Sequence, residues 1–187
     1  DGQIRNAASG RCLNLEGAGG WTNGTKLILF DCLGGSNEKF KLTAENQVPN
    51  PVGRIVNPTS GRCLNLEGSG PWNNGNGVIL FDCVSAALNE QFKITTEGQI
   101  LNPASGRCLN LEGADGWTNG TKVLLRDCNA GPNQKFEWTS DGQIRNAASG
   151  RCLNLEGAGG WTNGTKLILF DCLGGPNEKF KLISATN

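Results

Sequence analysis

The nonamer SGRCLNLEG stands at residues 9–17 and returns unchanged at 60–68, 105–113 and 149–157 of a 187-residue chain. Literal repetition of this kind restricts the fold to one supersecondary unit copied along the chain, with neighbouring copies burying each other's apolar sides. A unit of about 45 residues buries too little surface to be stable alone, so the units must share a core. In the first and fourth copies the sequence predicts four short strands, written GQIRN, RCLNL, TKLILFDC and EKFKL. Asn-Gly pairs at 23–24, 74–75, 76–77, 119–120 and 163–164 precede the third strand and suit the positive backbone angles of tight hairpins. The 28 glycines and the recurrent turn dipeptides favour an all-β protein over a helical bundle. The expected core donors of the first unit are Ile4, Leu13, Leu15, Leu27, Leu29 and Phe40.

The units fall at residues 1–44, 45–96, 97–139 and 140–187. The second has a longer entry: Phe40 to Cys63 spans 23 positions, against 16 from Phe92 to Cys108 and 16 from Phe136 to Cys152. The surplus lies in the Pro-containing stretch TAENQVPNPVG, which is the natural hinge.

The eight cysteines are Cys12 and Cys32, Cys63 and Cys83, Cys108 and Cys128, and Cys152 and Cys172, with 20 positions between the members of each pair. Pairing within each unit is expected, each bridge contributing about 3 kcal/mol by loop-closure entropy. Stable disulfides imply an oxidising compartment, and a secreted protein is expected. Asp1 without a leading Met suits a mature chain whose signal has been removed. The cysteine spacing is too wide for a structural zinc site and the chain has no His, so neither a metal nor a cofactor is expected. An even cysteine count without His also argues against a catalytic thiol.

Seventeen basic and seventeen acidic residues cancel, leaving no broad field to hold nucleic acid or an anionic membrane. The longest aliphatic and aromatic runs, such as Leu27 to Phe30, are far shorter than the roughly 20 residues of a membrane span, and no insertion is expected.

The sequence C-L-N-L, followed by N-G-T-K-L-I-L-F-D-C and N-E-K-F, resembles the ricin B-type lectin repeat of β-trefoil carbohydrate-binding modules. The usual signature has Asp after C-L and ends in Q-x-W; here Asn and a closing Phe (Phe40, Phe92, Phe136, Phe180) take those places. A trefoil has three lobes and this chain has four; residues 1–42 match 141–182 except for Ser36 against Pro176. Two arrangements are open: one trefoil with an exchanged or self-associated extra lobe, which would make a homo-oligomer, or an expanded form closing all four lobes. A four-bladed propeller is a third arrangement.

The resemblance implies one shallow sugar site per lobe, formed by the residue after C-L, the third-strand aromatic and the Asn near the lobe's end. Transferred residue by residue, these are Asn14, Phe30 and Asn37; Asn65, Phe81 and Asn89; and Asn154, Phe170 and Asn177. The third lobe keeps Asn110 and Asn133 but has Arg126 for the aromatic, which implies a weak or dead site, or one altered toward an acidic sugar. For Asn14 and its copies the other role is turn capping; for the Phe residues it is packing on a neighbouring strand. Trp21, Trp72 and Trp161, like Trp117, sit in Gly- or Pro-containing loops and are either sugar-stacking platforms or lids over the lobe's own apolar face, while Trp138 is structural. The recurrent carboxylates Glu16 and Asp31, Glu67 and Asp82, Glu112 and Asp127, and Glu156 and Asp171 are expected to serve turns, sugar contacts or ion pairs with Arg11 and its copies, because a glycosidase needs one defined pair and a fourfold active site is improbable. Asn-Gly-Thr at 23–25, 119–121 and 163–165 matches the N-glycosylation pattern but reads better as hairpin turn.

The expected function is non-catalytic, multivalent binding of glycans or polysaccharides. The alternative is a structural or self-associating protein, linked by lobe exchange, with vestigial sugar binding.

Overall fold

A computed structural model describes residues 2–17, 19–40 and 52–184. The chain divides into two compact units, Asp1–Gln47 and Val48–Asn187. Most of the predicted hinge lies outside the described residues.

In the first unit β1 (Cys12–Leu15) and β2 (Leu27–Phe30) form an antiparallel hairpin in the register Cys12 to Phe30 and Leu15 to Leu27. The predicted strand at GQIRN appears there only as isolated bridges, Gln3 with Lys39 and Arg5 with Cys12. Where a fourth strand was expected to begin, Ser36–Glu38 is a 3-10 turn.

The second unit runs through β3 (Gly53–Val56), β4 (Cys63–Leu66), β5 (Val78–Phe81), β6 (Lys93–Ile94), β7 (Ile100–Asn102), β8 (Arg107–Leu111), β9 (Val123–Asp127), β10 (Phe136–Trp138), β11 (Ile144–Asn146), β12 (Cys152–Leu155), β13 (Leu167–Phe170) and β14 (Lys181–Ser184). Its sheets are ordered β14-β3-β4-β5, β6-β7-β8-β9 and β10-β11-β12-β13, so each takes its first strand from the neighbouring lobe. The pairing of β14 with β3, Lys181 opposite Val56, closes the ring with three lobes, the second, third and fourth. The hairpins meet at the pseudo-threefold axis through the bridges Gly77 to Leu124, Ile79 to Lys166 and Lys122 to Ile168.

Strand periodicity explains the core. Leu64 and Leu66, Leu109 and Leu111, and Leu153 and Leu155 alternate with Cys and Asn, and join Leu80, Leu125, Leu169, Phe92, Phe136 and Phe180 in one buried cluster. The first unit departs from expectation: Ile4, Leu27 and Leu29 are exposed, and Leu13, Leu15 and Phe40 are only half-buried. That unit holds a single lobe, and a single lobe has no second apolar face to bury them against.

The repeated Arg joins lobes. Arg62 Nη1 donates to the Trp161 carbonyl, Arg107 Nη1 to Trp72 and Arg151 Nη1 to Trp117, each at 3.1 Å. The Asn of each Asn-Gly turn completes the joint: Asn163 donates to Asp82, Asn74 to Asp127 and Asn119 to Asp171 at 2.8–2.9 Å. The same aspartates pair with Arg62, Arg107 and Arg151 at 2.9–3.2 Å, as Asp31 does with Arg11 at 3.5 Å. The Thr of Asn-Gly-Thr closes the turn, Thr121 and Thr165 Oγ1 accepting from the Thr118 and Thr162 amides at 3.1 Å. Gly120 and Gly164 sit at φ 88° and 90°, where a side chain would be strained.

Candidate functional site

Each lobe carries a polar face opposite its leucines. In β4 and β5, Asn65 stands opposite Ile79, and Phe81 lies diagonally from it, opposite Cys63. The same register sets Phe170 diagonal to Asn154 and Phe30 diagonal to Asn14, so both residues share the outward side of the hairpin. Phe30 and Phe81 expose 49% and 39% of their surface, enough to offer a ring face to solvent, and Phe170 is half-buried.

A 3-10 turn then brings in the second Asn. These turns are Ser36–Glu38, Leu88–Glu90, Pro132–Gln134 and Pro176–Glu178. Nδ2 of Asn37, Asn89 and Asn177 donates to Oδ1 of Asn14, Asn65 and Asn154 at 2.6, 2.9 and 2.8 Å. The inner Asn of each pair is buried. It still has one donor and one acceptor valence beyond these bonds, and the outer Asn keeps its own Oδ1 as a further acceptor. Gly35 and Gly175 let the outer Asn side chain lie close, since a Cβ there would stand 2.6 and 2.7 Å from the Oδ1 of Asn37 and Asn177, whereas the second lobe accommodates Ala87 at this position.

Beneath each pair lies a buried side chain that sequence reasoning missed: Glu38, Glu90, Gln134 or Glu178. Glu90 accepts from Asn65 Nδ2 at 3.1 Å and from the Val84 amide at 2.9 Å. Glu178 accepts from Asn154 Nδ2 and from the amides of Leu173 and Gly174. Glu38 repeats this with Asn14, Leu33 and Gly34. The Leu33 amide, opposed by burial and assisted by Gly34 and Gln3, holds the Glu38 carboxyl below its ordinary range.

A second missed set is Asn57, Asn102 and Asn146, all fully buried. Each Nδ2 holds the 3-10 turn of the preceding lobe in the ring: Asn57 on the Pro176 and Lys179 carbonyls, Asn102 on Leu88 and Gln91, Asn146 on Pro132 and Lys135, at 2.8–2.9 Å. The recurrent pattern N-x-x-S-G-R-C was its only signal in the sequence.

The tryptophans divide. Trp117 and Trp161 belong to the core cluster and Trp72 packs against it, as lids do. Trp21 is half-buried. Trp138 also packs on the core. In the third lobe, Asn110, Asn133 and Arg126 line one cleft of about 450 Å3 with Glu112 and Asp127. Among the described residues no group of three or more acidic or Cys side chains could hold a metal, and no helix is long and apolar enough to cross a membrane.

Three lobes closed about an axis, each with an Asn pair on its outer side and two of them with a hairpin aromatic beside it, define a lectin-type β-trefoil. The sequence profile of the ricin-type beta-trefoil lectin domain matches residues 1–116 and again 51–180, and the chain belongs to that family. Among solved structures it is similar to ThreeFoil, a designed threefold-symmetric protein, at 25% identity and a TM-score of 0.63 over 71% of this chain and 98% of that one. It is also similar to the hemolytic lectin CEL-III, at 29% identity and a TM-score of 0.62 over 97% of this chain and 40% of CEL-III. The C-half of the earthworm R-type lectin shares the fold, at 19% identity and a TM-score of 0.60 over 72% of this chain and 98% of that one. Nothing among the curated proteins matches.

Proposed function

We propose that the protein is a non-catalytic, secreted lectin that binds glycans or polysaccharides through several weak sites. The sites are Asn14, Phe30 and Asn37; Asn65, Phe81 and Asn89; and Asn154, Phe170 and Asn177. The observation that carries this reading is the shared geometry: an outer Asn seated on an inner Asn, itself seated on a buried Glu, beside an aromatic on the same hairpin face. A sugar ring stacks on the Phe and its hydroxyls bond the outer amide, while the buried Glu fixes the inner Asn's orientation. Membership of a lectin family supports binding over catalysis. Sites of this shallowness bind weakly one at a time, and sites on one body reach useful avidity on repeating glycans. Of the tryptophans, Trp21 and Trp72 are the better placed to meet a ligand, since Trp161 is buried. The test is titration with galactosides and glucans of the protein and of Phe81→Ala and Phe170→Ala, neither of which touches the core. Loss of binding in the variants supports the assignment, and undiminished binding removes it.

A second reading, self-association through the first lobe, is favoured by Leu27 and Leu29, 56% and 49% exposed, whose counterparts Leu167 and Leu169 are buried. Light scattering across a hundredfold range of concentration, about 1 to 100 μM, decides it: a mass independent of concentration and equal to one chain rejects self-association.

A further inference from the structure

The third lobe differs from its sisters at two positions that bear on one cleft. Arg126 stands where Phe81 and Phe170 stand, opposite the first Cys of the hairpin. Gln134 stands where Glu90 and Glu178 lie buried. Each exchange makes the region more positive by one charge, and both fall in the same lobe.

The amide network responds. Gln134 Oε1 accepts from the Asn129 amide at 2.8 Å, and its Nε2 donates to Asn110 Oδ1 at 3.0 Å. Asn110 Oδ1 also accepts from Asn133 Nδ2 at 2.9 Å, while Asn110 Nδ2 turns to the Leu111 carbonyl at 2.6 Å. Asn65 and Asn154 instead point that nitrogen at a carboxylate. The floor of the third site is therefore neutral where the others are anionic. The two carboxylates on the cleft wall already face cations, Asp127 with Arg107 at 3.2 Å and Glu112 with Lys122 at 3.9 Å. Among the described residues Arg126 makes no ion pair, and its exposed guanidinium is the uncompensated charge of the cleft.

We propose that the third-lobe cleft binds a carboxylated saccharide, the Arg126 guanidinium taking the carboxylate and Asn133 a ring hydroxyl. This rests on the carbohydrate-binding reading above. A guanidinium offers a planar fork that matches a carboxylate in two parallel hydrogen bonds, which a neutral hydroxymethyl group cannot use. A buried Glu at position 134 would repel the same ligand, so the two exchanges act in one direction.

The experiment is amide-resolved NMR titration of the whole chain with galacturonic acid, its methyl ester, N-acetylneuraminic acid and methyl galactoside. The proposal expects an acid to shift the amides around Asn110, Arg126 and Asn133 with an affinity about tenfold above that of the ester. Arg126→Phe, which installs the sister-lobe residue at an exposed position, removes that preference, and Gln134→Glu weakens it. Arg126→Lys keeps the charge without the fork and falls between. A response to galacturonic acid alone identifies a uronate as ligand, and a response to N-acetylneuraminic acid alone a sialic acid. Equal affinity for acid and ester, or an acid response that survives Arg126→Phe, overturns the proposal. If methyl galactoside shifts the second and fourth lobes while neither acid shifts the third, this inference alone fails; silence toward every sugar overturns the carbohydrate-binding reading with it.

Discussion

Residues 1–42 and 141–182 differ only at Ser36 and Pro176, yet the two lobes they build hold different interiors. Leu167 and Leu169 are 1% and 0% exposed, whereas Leu27 and Leu29 are 56% and 49% exposed. Trp161 Nε1 donates to the Gly157 carbonyl at 3.2 Å, and Trp21 Nε1 is buried with no partner among the described residues. Arg151 reaches from its own Asp171 to Asn119 and the Trp117 carbonyl of the neighbouring lobe, while Arg11 meets its own Asp31. The polar face is nonetheless the same in both: Asn37 on Asn14 on Glu38 repeats Asn177 on Asn154 on Glu178. Burial in this fold is a property of the ring, and the outer polar cluster is a property of the single lobe with its disulfide. The Cys12–Cys32 and Cys152–Cys172 bridges have the same 5.1 Å Cα separation.

The comparison breaks most sharply at the leucines. Leu169→Ala should cost about 2–5 kcal/mol in chemical denaturation, as fully buried leucines do, while Leu29→Ala costs under about 0.5 kcal/mol. Equal losses would mean that the first lobe buries the same face. A smaller contrast lies in the paired asparagines. Asn146→Ala leaves the Pro132 and Lys135 carbonyls with only longer backbone bonds, from Lys135 at 3.4 Å and Ala147 at 3.3 Å, and should cost about 1–3 kcal/mol. Asn6 Oδ1 accepts from the Ala8 and Ser9 amides within its own turn, so Asn6→Ala should cost about 1 kcal/mol or less by the same denaturation measurement.

The smallest effect sharpens what the polar cluster does alone. Glu38 is held below its ordinary value of 4.5, so its contribution is full above that pH and is lost as pH falls through the depressed value. Glu38→Gln, the residue type of Gln134, should make the first lobe indifferent to that acid step. NMR or circular dichroism followed from pH 6 to about 2 reads the step in the parent and its loss in the variant.

Much of this was legible in the sequence: the hairpin strands and the bridges follow from the local period and the cysteine spacing. Three things were not. Glu90 and Asn57 act on partners 25 and 119 residues away in sequence, and the only local trace is the recurrence of N-x-x-S-G-R-C around Asn57, which repeats without stating burial. Nor can one sequence state two burials: Leu27 and Leu167 sit in the same words, and only the closure of β14 on β3 decides which is covered. The 3-10 turns were missed because E-K-F-K-L alternates like a strand, although its Glu is held inward by backbone amides.

The most direct test is native-state hydrogen exchange of the two hairpins, resolved by NMR because their peptides are nearly identical in mass. Amides of β12 and β13 should exchange only with global unfolding of the 48–187 unit, whereas those of β1 and β2 should exchange at least about a hundredfold faster. Matching protection in both hairpins would contradict the account, since it would mean that the first lobe is covered as completely as the fourth.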